Sequence, residues 1–419
     1  MKRIAAFVLL LALAASALFS CGKNEPAETT AETTAATTAS DDFALVSTAD
    51  PTFDYFRADL LAYLSVSRED YASLTVSLDV TDAEVDEYLN DRILPSYRTP
   101  NLITDQAVKD GDTVYIRYTG YIDGVAFEGG SNASDDRAYG LEIGSNSFID
   151  TFETQLIGVI PNQTSWESPK IVDVTFPDSY GNADLAGKAA RFEVVIEGIF
   201  DGTYTVPEMT EEFARNINNF TPETDDPVSE FKLALKDWLR ESKAASLESR
   251  KFSCLMDKLL ATVSFTGKFP EGEIKRLESV MNDTVMSYYQ QANFYYYMQY
   301  GIVYYDSMDS AARDYYGLRF DADWEAYQTT AAEKVVKQML ILNAIAKLEG
   351  ITVSEDEVRQ WVLDEVETEN ESQQNGEITP ENVLASHSLE EIYAEIAATK
   401  AREYLMNNVA FDSTGLPLD

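Results

Sequence analysis

The sequence predicts an α+β chain: a half-open antiparallel sheet wrapped on a short helix, followed by an all-α region. Two patterns carry this reading. Between residues 112 and 199, short runs of alternating apolar and polar residues are divided by Gly, Asp and Pro turns, which is the period of half-buried strands. After about residue 205 the apolar period lengthens to that of helices. With 419 residues and 45% apolar composition, the chain can supply cores for two or three domains.

In chain order, Lys2 and Arg3 precede an apolar run from Ile4 to Leu18, too short for a usual transmembrane span and shaped like an export signal. The run ends Leu18-Phe19-Ser20-Cys21-Gly22, which resembles the lipobox of bacterial lipoproteins, where the cysteine is lipidated and becomes the new N-terminus. Leu18 and Cys21 match and Phe19 is bulkier than usual; a plain secretory signal with an incidental cysteine is the other reading. Residues 1–20 are thus expected to be a lipoprotein signal peptide and 21–50 a disordered tether, since ETTAETTAATTAS buries too little apolar surface to offset ordering entropy. As a flexible coil the tether would reach roughly 30 Å, enough to hold the folded part just off a membrane. With Cys21 lipidated, Cys254 alone remains as a thiol, so stability must come from packing rather than a disulfide. Set among helix formers, Cys254 reads as a small buried hydrophobe.

Residues 51–105 read as a helical or linker segment. Thr81 and Glu84 form a capping box ahead of a helix whose apolar face is Val85, Tyr88, Leu89 and Ile93, stopped by Pro95. The sheet begins after Gly111. Val114, Ile116, Tyr118 and Gly120 point to one face, and Asp123-Gly124 supplies the positive φ values of a tight hairpin turn. A polar loop over 129–138 leads to a short strand, YGLEIG. Phe148, Phe152 and Leu156, at i, i+4 and i+8, predict a short helix with an aromatic face. Two more strands place Val172, Val174 and Phe176, then Phe192, Val194 and Ile196, toward the same core.

Four stretches of this unit, YTGYIDGVAFEGG, IGSNSFIDTFETQLIG, VTFPDSYG and LAGKAARFEV, resemble in content, order and spacing the successive signatures of FKBP-type peptidyl-prolyl isomerases, in the version found in trigger factor. The resemblance implies an FKBP-like half-barrel over 106–202, with Tyr118, Phe127, Glu128, Tyr139, Phe148, Ile149, Phe152 and Phe192 around a bound proline. Tyr180 fills the place of the tyrosine after the fourth strand, in a short loop whose register is ambiguous. The pattern assigns catalysis to Tyr118, Phe127, Glu128, Ile149, Phe152, Tyr180 and Phe192, and further substrate contacts to Tyr139 and Phe148. Glu128 stands where the eukaryotic-type pocket has aspartate, and Phe152 where it has a tryptophan floor. Trigger factors commonly carry these alternatives, so it is macrolide binding rather than catalysis that they put in doubt.

The remaining chain, 203–412, is expected to be helical. VSEFKLALKDWLRESKAASLESRKFSCLMDKLLATV reads as one long helix or two in series, and Pro270 opens another that runs into a dense tyrosine cluster. A third helix ends at Gly350, a C′ glycine. Ser354 and Glu357 cap a fourth with Val358, Trp361, Val362 and Val366 on one face, and SLEEIYAEIAATKAREYLMNNV closes the chain. This order resembles the trigger-factor C-terminal domain, whose helical arms hold unfolded chains. The tyrosines 288, 289, 295, 296, 297, 300, 304 and 305 leave two readings open: a core between helices, or an amphipathic cradle for unfolded polypeptide in which Tyr295, Tyr296 and Tyr297 bind substrate.

These observations together point to a peptidyl-prolyl isomerase and folding chaperone for exported polypeptides containing X-Pro bonds. It would be lipid-anchored at the outer face of the membrane through Cys21, with no ribosome docking. A non-catalytic holdase using the same pocket and tyrosines is the rival. Other chemistries find little support. With His387 the single histidine, His-based metal sites and Ser-His-Asp catalysis have no ligands, and no metal or cofactor is expected. A net charge of −40, from 32 basic and 72 acidic residues, argues against nucleic acid.

Overall fold

The computed structural model describes residues 43–49, 51–134, 137–217, 220–300, 303–372 and 378–416. Cys21, the stretch expected to be a signal peptide and the expected tether as far as residue 42 lie outside them. The chain forms two compact units, one of residues 93–213 and one joining the residues before 93 to those after 213.

The first unit is a six-stranded, wholly antiparallel sheet. Its strands are β1 (Thr99–Ile103), β2 (Thr113–Ile122), β3 (Val125–Ser131), β4 (Tyr139–Glu142), β5 (Lys170–Thr175) and β6 (Ala189–Thr205). The order is β1-β6-β2-β3, with β4 also on β2 and β5 also on β6. Alternation places Val114, Ile116, Leu141, Val172, Val174, Phe192, Val194 and Ile196 in one core with Phe152 and Leu156. The hairpin turn takes positive φ at both central residues, Asp123 at 51° and Gly124 at 79°.

One expectation needs correction. Phe148, Phe152 and Leu156 do not share a helix: the regular part is a 3-10 turn, Glu153–Leu156, preceded by a left-handed residue, Thr151, at φ 71°. A right-handed helix cannot pass through that angle. The stretch before it is held by the Glu153 side chain, which accepts the backbone N–H groups of Gly144, Asn146 and Phe148.

The second unit is helical: α1 (Asp82–Tyr88), α2 (Pro227–Ala244), α3 (Leu247–Thr262), α4 (Glu271–Tyr300), α5 (Met308–Tyr315), α6 (Trp324–Leu348), α7 (Glu355–Ser372), α8 (Pro380–Ser386) and α9 (Leu389–Asn408). The stretch open to one helix or two is therefore two. Helix α6 is buried all round from Gln338 to Ala346, with Leu340, Ile341 and Ile345 wholly or nearly wholly enclosed, as befits the central part of a helical core. It ends in a Schellman motif: Gly350 at φ 66°, with the Ile351 N–H donating to the Ala346 carbonyl at 2.8 Å and the Gly350 N–H to that of Lys347 at 3.2 Å. Both capping boxes form. Tyr55, Leu60, Leu64, Tyr71, Val76 and Leu78 join the α3, α4 and α6 core, so residues 51–92 pack as part of this unit. Two short pairings tie them in, Leu64–Ser65 antiparallel to Ser264–Phe265 and Thr75–Ser77 parallel to Ala410–Asp412. The expectation of a disordered tether over 21–50 fails at its described end: Phe43 is buried among Val358, Val362, Val383 and Ile392, because even a polar segment docks where it carries a large apolar side chain.

Candidate active site

Strand register assembles the site. Tyr118 on β2 lies opposite Val194 on β6, and Gly120 opposite Phe192, so the tyrosine and phenylalanine rings rise from neighbouring rungs of one face. The β2–β3 hairpin brings Phe127 beside them. Two glycines make the room: a Cβ on Gly120 would lie 2.5 Å from the Phe192 ring and 2.7 Å from that of Phe127, and one on Gly130 would lie 2.6 Å from Phe127. Here glycine is required by close approach, not by φ.

Phe148 and Phe152 close the cluster from the loop side. Phe152 is wholly buried and Phe192 is 4% exposed, while Tyr118, Phe127 and Phe148 are half-buried. Phe152 packs edge-on to Phe192 at 5.3 Å and lies 4.8 Å from Phe148. Tyr118 stands edge-on to Phe148 at 5.5 Å and to Phe192 at 6.0 Å, and Phe127 to Phe192 at 5.9 Å. These are the favoured aromatic geometries. Tyr139, exposed, meets the rim through Phe148 at 5.3 Å. The Ile149 carbonyl accepts from the Phe152 N–H at 2.9 Å, whereas the Ile149 N–H has no partner among the described residues.

Two predicted residues sit apart. Tyr180 is 40% exposed and reaches the cluster indirectly, its ring tilted against Phe176 at 4.7 Å, which in turn meets Phe127 at 5.9 Å. Glu128 follows Phe127 on β3, is exposed and takes no part in the ring contacts; successive strand residues point to opposite faces.

Sequence reasoning missed two polar supports. Asn132 is 6% exposed and acts as a substitute strand. Its Oδ1 accepts the Tyr118 N–H at 2.7 Å and its Nδ2 donates to the Ile116 carbonyl at 3.0 Å, fixing the backbone that carries Tyr118. Glu153, also 6% exposed, accepts the N–H groups of Gly144 (2.9 Å), Asn146 (3.0 Å) and Phe148 (3.1 Å) and the Ser145 hydroxyl (3.2 Å). Burial alone would raise its pKa, but these donors outweigh it and hold the carboxyl below its ordinary value. An Asn in a Gly- and Ser-rich loop and a Glu three residues beyond an Asp carry no local signal of such roles.

In the helical unit the tyrosines divide. Tyr288 and Tyr305 are core, their hydroxyls sharing the Asp314 carboxylate. Tyr295 and Tyr297 are 56% and 62% exposed, beside the equally open Phe294 and Met298. Tyr296 lies between these groups, stacked on Tyr304 at 4.0 Å.

The geometry agrees with what comparison finds. The family profile described as FKBP-type peptidyl-prolyl cis-trans isomerase matches residues 104–197, and that of the bacterial trigger factor protein C-terminus matches 317–407. The chain is 31% identical to the trigger factor of Shouchella clausii over 296 residues, covering 70% of this chain and 60% of that protein. It is 30% identical to the trigger factor of Desulforamulus reducens over 358 residues, covering 84% and 74%. Against that of Acetivibrio thermocellus it is 29% identical over 336 residues, 80% and 69%. A sheet unit that is an FKBP-type peptidyl-prolyl cis-trans isomerase domain, followed by trigger-factor helices at this level of identity, places the chain in the trigger factor family.

Proposed function

We propose that this chain isomerises X-Pro bonds in unfolded or partly folded exported polypeptides, held at the outer face of a membrane by lipid on Cys21. The ring cluster of Tyr118, Phe127, Phe148, Phe152 and Phe192, with the uncommitted Ile149 N–H at its rim, carries the catalytic part. Rotation about the peptide bond meets a barrier of about 18–20 kcal/mol because conjugation is lost. A twisted amide has a less shielded carbonyl carbon and a more basic nitrogen, so no nucleophile, metal or proton relay is needed. Phe152 and Phe192 form an apolar floor for the proline ring, Phe127 and Phe148 its walls, and the Ile149 N–H receives a substrate carbonyl while Tyr118 orients it. Tyr180 and Tyr139 act from the rim, and Glu128 borders the entrance. Binding the rotated amide better than the planar one by about 4 kcal/mol gives roughly a thousandfold acceleration.

Between Asp283 and Asp306 the chain has no charged side chain, although its net charge is −40. This run contains the exposed Phe294, Tyr295, Tyr297 and Met298. That face supports a cradle for apolar stretches of a client, and taken alone it favours a second reading, a holdase without catalysis. The Leu18-to-Cys21 lipobox supports the anchor, and a protein so placed has no ribosome to dock on. Isomerisation of a proline tetrapeptide tests the main reading. Wild type should accelerate it, and Phe127→Ala should lose most of the gain, with Tyr118→Phe also reduced; no acceleration by wild type leaves the holdase.

A further inference from the structure

The strand Thr75–Ser77 pairs in parallel with Ala410–Asp412 and belongs to a sheet of two strands. Its phase is fixed by the Ala410 N–H donating to the Leu74 carbonyl at 3.3 Å and the Leu78 N–H donating to the Asp412 carbonyl at 2.8 Å. In a parallel ladder of this phase residues 74, 76 and 78 face the partner strand, so the N–H and C=O groups of Thr75 and Ser77 point to the opposite edge. Among the described residues these four groups have no hydrogen-bond partner. Val76 is buried in the helical core, whereas Thr75 and Ser77 are exposed and line a cleft of about 640 Å³ bounded by α2 and α3. An unpaired strand edge beside open space is a template for another strand.

We propose that this edge binds an extended, proline-free segment of a client polypeptide as a third strand, a site separate from the isomerase pocket. The cleft's own charges point to backbone recognition. Lys243 and Arg250 are committed to Glu84, Arg240 to Asp79, and Lys334 to Asp257 at 3.0 Å, and the other two charged residues of the lining, Glu87 and Lys258, are of opposite sign, which leaves no net charge to select an ion or a charged side chain. Trp238, 40% exposed and 5.3 Å from the Tyr88 ring, offers an apolar wall for one side chain of the incoming strand. The chain already demonstrates the mode, since Ala410–Asp412 occupies the other edge by main-chain bonds. Proline, lacking an N–H, is excluded from the paired positions, so this site and the isomerase pocket would hold complementary parts of a client. The proposal rests on the chaperone reading above.

The test uses the full chain and a short fluorescein-labelled peptide of alternating valine and serine, alongside the same peptide N-methylated at every residue, so that neither of its edges keeps a donor. Hydrogen exchange at the Thr75 and Ser77 amides should slow with the first peptide and not with the second, whose side chains are unchanged. Ser77→Pro removes an outward N–H without touching the ladder to Ala410–Asp412 and is tolerated on an edge. It should weaken peptide binding about tenfold, the loss of roughly one hydrogen bond. Equal binding of the N-methylated peptide, or unchanged exchange at both amides of wild type, overturns the proposal whatever the fate of the variant. Exchange that slows with protein concentration in the absence of peptide assigns the edge to a second copy and also overturns it. Tetrapeptide isomerisation by Ser77→Pro should equal wild type. Its absence in wild type would refute the isomerase reading and leave the exchange result to decide the edge.

Discussion

Glu153→Gln should disable the pocket from beneath while touching none of its rings. The carboxylate serves two sets of donors: Oε2 takes the Gly144 and Asn146 N–H groups at 2.9 and 3.0 Å, and Oε1 takes the Phe148 N–H at 3.1 Å and the Ser145 hydroxyl at 3.2 Å. Glutamine keeps one acceptor oxygen and replaces the other with an NH₂ that opposes an N–H. If the oxygen stays with Gly144 and Asn146, the Phe148 amide loses a charge-assisted bond and meets a donor. Hydrogen bonds to charged groups contribute about 1.5–3 kcal/mol and a stranded donor costs about 1–3 kcal/mol, so a loss of about 2–4 kcal/mol is expected. Calorimetry should show a lower melting transition at pH 7, and tetrapeptide isomerisation should fall further than the unfolded fraction explains, because Phe148 is displaced in the folded protein. The pH dependence has a definite sign. The folded carboxyl is held below the ordinary value of 4.5, so its stabilisation is complete above that value and is lost as pH falls through the folded value. Glu153→Gln lacks this loss, and its deficit should narrow in acid. A variant as stable and as active as wild type at pH 7 would refute the role given to Glu153.

Gly120→Ala places a methyl 2.5 Å from Phe192 and 2.7 Å from Phe127. Overpacking of this kind costs about 1–3 kcal/mol, and isomerisation should drop at least as far as in Phe127→Ala; undiminished turnover would show that the rings yield freely. Glu84→Ala strips the carboxylate from Arg250, which is 8% exposed. Breaking a buried pair from one side costs about 3 kcal/mol or more, read as a lower urea midpoint for the helical unit. Burial pushes the Glu84 pKa up, but Arg250, Lys243 and the Thr81 N–H bring it down to about 2. Wild type should therefore lose that stabilisation as pH falls from 4.5 toward 2, and Glu84→Ala should not.

The pocket aromatics were legible because they sit in the alternation of strands and in motifs of fixed spacing, both local properties. What escaped is non-local or locally mute. Strand β1 contains Pro100, which ordinarily argues against a strand; here it lies on the sheet's edge at a bulge, where no ladder N–H is needed. Residues 51–105 read as a helical or linker segment, and the packing of 51–92 into the helical unit was hidden because their partners are far off in sequence: Leu64 with Phe265, Val76 with Phe411. No window of the chain contains both halves of such a pair. The Thr81 and Glu84 capping box was visible, yet that Glu84 also neutralises Arg250 and Lys243 was not, since two helices had to be placed first.

These unseen residues matter because of the chemistry assigned to the pocket. A reaction that needs proton transfer draws part of its acceleration from a positioned acid or base of tuned pKa. Twisting an amide inside a ring of aromatic side chains has no such source. On the proposed mechanism its selectivity for the rotated state would come from where the rings stand, which makes the residues that fix them as consequential as the rings themselves. Glu153 is instructive here. A buried carboxylate beside a candidate active site invites reading as a general acid or base. Yet its oxygens are engaged by three backbone amides and a hydroxyl that keep it ionised, leaving no proton to give. It works instead as the anchor of the loop that presents Phe148, as Asn132 does for Tyr118 and as the missing side chains of Gly120 and Gly130 do for Phe127.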